Sequence, residues 1–105
     1  MVELSKDNFE NEVLKADRYV LVDYWGSNCN SCLKLMPHIE KLDKKYGDKL
    51  KFTILNTSKA RRLAINQKVT GLPTIVIYKD GEKIESLVGD KVTEGSVTEL
   101  VKKYA

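Results

Sequence analysis

Cysteine, tryptophan, histidine and proline are scarce in this 105-residue chain, which has two cysteines, one tryptophan, one histidine and two prolines. Each scarcity excludes something. Two cysteines cannot replace a core in a chain of this length, so the fold must rest on packing, for which a hydrophobic content of 42% suffices. One histidine, His38, and two cysteines fall short of the four ligands of a structural zinc site, so Cys29 and Cys32 would supply only half of one, bridging two chains. No apolar run approaches membrane-spanning length, and "MVELSKDNFE" has no cationic segment followed by an apolar one. The net charge is +3 and comes from lysines scattered among acids, as in "IEKLDKKYGDKLK", so no clustered basic face is offered to nucleic acid. Repeats, low-complexity segments and Gly/Ser linkers are also missing, and the length suits one domain over 1–105. A cytoplasmic monomer without nucleic-acid or membrane partners is expected, in a compartment where thiols stay reduced.

What is present is a regular alternation of elements. Val2 to Leu4 suits a short strand, and Ser5 suits the N-cap of a helix that buries Phe9 and Val13 at four-residue spacing. "RYVLVDYW", from Arg18 to Trp25, is apolar on both faces except at Asp23, which suits a central strand covered on two sides. Leu35, Met36, Ile39, Leu42 and Tyr46 recur at three and four residues and predict an amphipathic helix that stops at Gly47. Leu50 to Leu55 reads as a strand, Ser58 to Gln67 as a short helix and "TIVIY" from Thr74 as a second buried strand. A "KDG" turn leads into Glu82 to Val88, whose weaker alternation fits an edge strand, and Val97, Leu100, Val101 and Tyr104 form the stripe of a closing helix. The order is β-α-β-α-β-α-β-β-α, with a parallel start, an antiparallel hairpin at the end and helices on both faces of a mixed sheet.

The two cysteines stand three residues apart where a strand gives way to a helix. Free N–H groups and the positive end of the helix dipole there favour an anion, which predicts a thiolate at Cys29, with Cys32 one turn further within bonding reach. A thiol brought from about 8.5 to about 7 gains about fifteenfold in thiolate at neutral pH, while its intrinsic nucleophilicity falls about fivefold, a net rate gain of only about threefold. The larger effect is on equilibrium, because stabilising the reduced thiolate sets how strongly the pair gives up electrons. Asp23 has two readings: an acid facing solvent at the strand's end, or a buried carboxyl of raised pKa that takes the proton of Cys32. Pro73 also has two: a turn former before a central strand, or, at the cysteine end of the sheet and in a cis turn, a residue that presents the Leu72 backbone to an extended peptide. His38 reads as a surface or half-buried helix residue.

These features together resemble the thioredoxin family over essentially the whole chain. "LVDYW" resembles its strand with a buried aspartate, "CNSC" its redox motif, Pro37 its proline after the second cysteine, "GLPT" its cis-proline loop, "KDGE" its hairpin and "VGD" the glycine loop beside the site. The separations of 41 residues from Cys32 to Pro73 and 16 from Pro73 to Gly89 need no insertion. The resemblance implies a thioredoxin fold, a central mixed five-stranded sheet flanked by four helices. It implies a protein-disulfide reductase in which Cys29 attacks, Cys32 resolves and Asp23 accepts the proton. Trp25 would pack beside the site, and Leu72, Pro73, Val88 and Gly89 would form the target groove with Asn28, Asn30 and Ser31 at its mouth. No cofactor or metal is implied beyond the Cys29–Cys32 disulfide, and electrons would come from a flavin-containing, NADPH-linked thioredoxin reductase. "NTSKARRLAINQKVTGLPT" further resembles thioredoxins of amino-acid-fermenting anaerobes that serve selenium-dependent reductases.

The departures from the family pattern carry expectations of their own. Asn30 and Ser31 replace the usual Gly-Pro, restoring an N–H and adding a hydroxyl that can hydrogen-bond the Cys29 thiolate. A pair less reducing than the about −270 mV of thioredoxin itself, by some tens of millivolts, is expected. Asn28 stands where a tryptophan is usual, and Ile54 where a lysine usually pairs with the buried aspartate, so Asp23 is expected to titrate higher still. Asp90 beside the groove should disfavour acidic targets. Two other functions compete with general disulfide reduction: a carrier dedicated to one reductase or peroxidase system, and a non-enzymatic docking subunit using the same groove. A glutaredoxin is disfavoured by the lack of a Gly-Gly turn after the last strand.

Overall fold

The computed structural model describes all 105 residues. Its five strands are β1 (Val2–Leu4), β2 (Val20–Trp25), β3 (Lys51–Asn56), β4 (Thr74–Lys79) and β5 (Glu82–Val88). They form one sheet in the order β1-β3-β2-β4-β5, parallel among β1, β3 and β2 and antiparallel from β2 through β4 to β5. The helices are α1 (Asn30–Tyr46), α2 (Arg61–Asn66) and α3 (Glu94–Tyr104), joined by a π-helical segment at Glu10–Leu14 and a 3-10 turn at Gly89–Lys91. With the π-helical segment as the fourth helix and the 3-10 turn left out, this is the expected mixed five-stranded sheet flanked by four helices, a thioredoxin fold.

Strand alternation assigns the two faces. Leu21 of β2 and Ile75 and Ile77 of β4 pack with Leu35, Ile39 and Leu42 of α1 and Val97, Leu100 and Val101 of α3. Val20, Val22 and Tyr24, with Val76 and Tyr78, pack instead against Val13 of the π-helical segment and Phe9 just before it, with Leu63 of α2 alongside. Because β2 is covered on both faces, all its residues but Trp25 are buried, which is why it reads as a nearly unbroken apolar run.

Three expectations shift in detail and one holds. Ser5 opens a turn, its Oγ accepting the Asp7 N–H at 3.2 Å, but the regular segment beyond it is a π-helix closed by Lys15 N–H to the Glu10 carbonyl at 2.8 Å. Ser58 does not start α2. The Asn56 Oδ1 accepts the Ser58 N–H at 2.9 Å, holding the chain in a turn, and the helix begins at Arg61 with no side-chain cap. Gly47 ends α1 as expected, in a right-handed conformation, φ −62°. The antiparallel pairing starts at β4, not only at the hairpin. The chain re-enters the sheet from the end at which β3 left it, so β4 runs antiparallel to β2.

Candidate active site

The site is built where β2 hands over to α1. After Trp25 the chain turns through Gly26, Ser27 and Asn28, and the Cys29 N–H donates to the Gly26 carbonyl at 3.1 Å. A Cβ on Gly26 would lie 2.9 Å from Leu72 Cδ1, so this turn lies against the loop before β4 and the tip of the Leu72 side chain would have to give way to a methyl group there. Cys29 is the N-cap of α1, in extended conformation, and its Sγ accepts the Cys32 N–H at 3.2 Å, filling the place a serine or aspartate oxygen usually takes. The Ser31 hydroxyl lies 3.5 Å from the same sulfur. Cys29 and Cys32 are joined in a disulfide with Cα atoms 5.2 Å apart. Their exposures differ: Cys29 is half-buried, whereas Cys32 is 1% exposed on the inner stripe of α1.

Asp23 is inside the protein, 1% exposed, and does not face solvent. By alternation it shares the face of Leu21, the face covered by α1, and its register neighbours are Ile54 on β3 and Ile75 on β4. Neither carboxyl oxygen has a hydrogen-bond partner. Burial alone pushes its pKa up to about 7, since no cation or donor offsets the cost of removing the charge from water. Cys32 prolongs the Leu35, Ile39, Leu42 stripe toward the helix start as Asp23 prolongs Leu21 toward the strand end, so both lie in the helix–sheet interface at its active-site end.

The other residues expected to line a target groove lie at that end. The Leu72–Pro73 peptide is cis and Pro73 is buried. The Gly89 N–H donates to the Pro73 carbonyl at 2.8 Å, with Gly89 in the left-handed region at φ +63°. Val88 is 44% exposed and sits across from Thr74 in the β4–β5 ladder. Asn28, Asn30 and Ser31 are exposed around Cys29. Trp25 is half-buried with its indole N–H unpartnered, and it borders a cleft of about 400 Å³ with Ile54, Asn56 and Lys59. The residues that the sequence reading missed are Asn56 and Ser58. Asn56 Nδ2 donates to the Ser27 hydroxyl at 3.2 Å and the Ser27 N–H donates to Ser58 Oγ at 3.4 Å, which binds the end of β3 to the active-site turn. The turn-prone "NTS" after a strand was the available signal.

No three His, Cys, Asp or Glu side chains gather as a metal site. His38 is occupied in packing: its Nε2 lies 2.8 Å from Thr98 Oγ1 and its Nδ1 3.5 Å from Glu94 Oε1, linking α1 to α3.

A disulfide at a helix start, one sulfur reachable and the other covered, on a mixed five-stranded sheet with a cis-proline beside it, defines a dithiol–disulfide oxidoreductase. The thioredoxin family model matches residues 1–103, and the chain belongs to that family. It is 55% identical to thioredoxin from the amino-acid-fermenting anaerobe Acetoanaerobium sticklandii over 104 residues, 99% of each chain. It is 48% identical to thioredoxin from Peptoclostridium acidaminophilum over 104 residues, 99% of this chain and 94% of that one. A more distant relative is the chloroplastic M-type thioredoxin of Chlamydomonas reinhardtii, 34% identical over 101 residues, 96% of this chain and 71% of that protein. The protein is a thiol–disulfide oxidoreductase that reduces protein disulfides through a reversible Cys29–Cys32 dithiol. Its family uses this internal disulfide in place of a bound cofactor. No helix is long and apolar enough to cross a membrane.

Proposed function

We propose that residues 1–105 work as one unit in which Cys29 is the attacking thiolate, Cys32 the resolving thiol and Asp23 its proton acceptor. The observation that carries this reading is the asymmetry of the pair, a half-buried Cys29 sulfur accepting a backbone N–H at the start of α1 while Cys32 is covered. The Cys29 thiolate attacks one sulfur of a target disulfide, a Cys29–target bond forms and the first target thiolate leaves and takes up a proton. Cys32 gives its proton to Asp23 and attacks the Cys29 sulfur. The Cys29–Cys32 bond forms, the second target thiolate leaves, and two electrons have passed to the target. Holding Cys32 one turn away makes this second step intramolecular, which is why the mixed disulfide is short-lived.

Leu72, Pro73, Val88 and Gly89 hold the target strand, Trp25 backs the site, and Asn28, Asn30 and Ser31 meet the target around Cys29. The Ser31 hydroxyl, 3.5 Å from Cys29 Sγ, is a donor to the thiolate in the reduced state. Electrons come from an NADPH-linked thioredoxin reductase, and the setting is the cytoplasm. The exposed polar residues around Cys29, in place of a broad apolar contact, favour a second reading, a carrier dedicated to one reductase or peroxidase system.

Cys32→Ser tests both readings, because it leaves attack intact and removes resolution. In a cell lysate it is expected to accumulate mixed disulfides through Cys29. A ladder of captured proteins supports a general reductase and a single dominant band a dedicated carrier. Failure of the wild-type protein to reduce insulin with dithiothreitol would leave only a docking subunit.

A further inference from the structure

On the sheet face away from the cysteines, a line of polar groups runs through the apolar cluster. Tyr24 and Tyr78 are fully buried there, and their hydroxyl oxygens are 2.6 Å apart. Tyr78 donates to Gln67 Oε1 at 2.9 Å, so its single proton is committed and Tyr24 must donate to Tyr78. Two phenylalanines would fill the same space without needing partners, and replacing both ends of a buried hydrogen bond by apolar groups is close to neutral for stability. The hydroxyls therefore add direction rather than packing.

That direction ends on Gln67, the residue that closes α2 and stands six positions before Pro73. Gln67 is held twice, through its side chain by Tyr78 and through its carbonyl by the Lys83 ammonium from β5. Lys68 follows at φ +61°, a left-handed conformation that a non-glycine residue keeps only when its surroundings impose it. Val69 and Leu72 then pack onto the cluster that contains both tyrosines, and the Val69 N–H returns to the Ala64 carbonyl at 2.9 Å. At the far end Thr74 Oγ1 donates to the Gly71 carbonyl at 2.6 Å. Between these anchors the tip of the Leu72 side chain lies against Gly26, which places the 68–72 loop beside the cysteine end of the sheet.

We infer that Tyr24, Tyr78 and Gln67 are positioning residues that set the Leu72–Pro73 wall of the target groove from the opposite face of the sheet. The inference rests on the reading that this wall receives the target strand. The network touches neither sulfur, so it governs target binding and not the reactivity of Cys29.

The test uses the pre-reduced full-length protein under single-turnover conditions, with insulin as protein disulfide and 5,5′-dithiobis(2-nitrobenzoate) as a small one. For Tyr24→Phe/Tyr78→Phe and for Gln67→Met, the insulin concentration giving half-maximal rate is expected to rise about three- to tenfold, with the limiting rate and the small-disulfide rate unchanged. Gln67→Glu keeps an acceptor for Tyr78 and should restore the wild-type value. Amide hydrogen exchange over 68–72 should be about tenfold faster in the first two variants and unchanged in the third. An unchanged half-saturation in both, or a parallel loss toward both disulfides, overturns the inference. A wild-type protein inert to insulin would overturn the reading of the groove instead, and exchange over 68–72 would still decide whether the network holds the loop.

Discussion

Asp23 and Tyr24 are neighbours on β2, equally buried, and they point to opposite faces of one sheet. Tyr24 has a hydroxyl partner at 2.6 Å and, through it, a path to the half-buried Gln67, whereas both oxygens of Asp23 are unpartnered. Burial raises the pKa of both groups. The consequence differs, because a phenol is neutral at physiological pH in any case, while a carboxyl brought from 3.8 to about 7 is poised between its two forms. A satisfied polar group in a core fixes geometry; an unsatisfied titratable one stores free energy that a reaction can draw on. In the proposed function the sheet thus separates proton transfer, on the α1 face, from placement of the groove on the other.

The largest expected effect comes from removing the unsatisfied group. At about pH 8 the ionised Asp23 costs the folded protein about 4 kcal/mol, and a small cavity offsets about 1 of this, so Asp23→Ala should be more stable by about 3 kcal/mol in urea unfolding. The sign follows from the raised pKa. Asp23 contributes fully to stability below the unfolded value of 3.8 and loses that contribution as pH rises through about 7, so the advantage of the variant grows across that window and then levels off. Resolution of the mixed disulfide should slow at the same time.

A smaller effect is expected from giving Asp23 the kind of partner its neighbour has. Ile54 is its register partner on β3 and is half-buried. In Ile54→Lys an ammonium placed there should lower the Asp23 midpoint by about 1 to 3 in pH, read from its side-chain carboxyl carbon by NMR, and the acid limb of the resolution rate should move with it. The smallest expected effect tests the helix start. Ser31→Pro removes an N–H and the hydroxyl beside Cys29, which should make the potential more negative by a few tens of millivolts in a glutathione titration, about 30 mV being a tenfold change in the exchange equilibrium.

Much of this was legible in the residues. The three- and four-residue stripes of α1 and α3 and the apolar runs of β2 and β4 carry their own burial pattern, because one side of a helix and both sides of a central strand must leave water. The cysteine pair and an acid in an apolar strand were legible for the complementary reason, that chemistry needs residues packing would not choose. The start of α2 was not, since the Asn56 side chain accepts the Ser58 N–H and holds that serine in a turn ahead of the helix. Strand order was not, because neighbours in a sheet are chosen by tertiary packing. The tyrosines read as bulk, and their hydroxyl chain emerges only when β2, β4 and α2 are brought together. His38 offered no sign of Thr98 and Glu94, 60 and 56 residues away.

The most direct measurement is alkylation of the reduced protein by iodoacetamide from about pH 5 to about pH 9, with the modified residue identified at each point. Cys29 should react first, with a rate midpoint below that of an ordinary cysteine, while Cys32 stays protected. Equal modification of both thiols at the rate of a free cysteine would contradict a thiolate held at the start of α1.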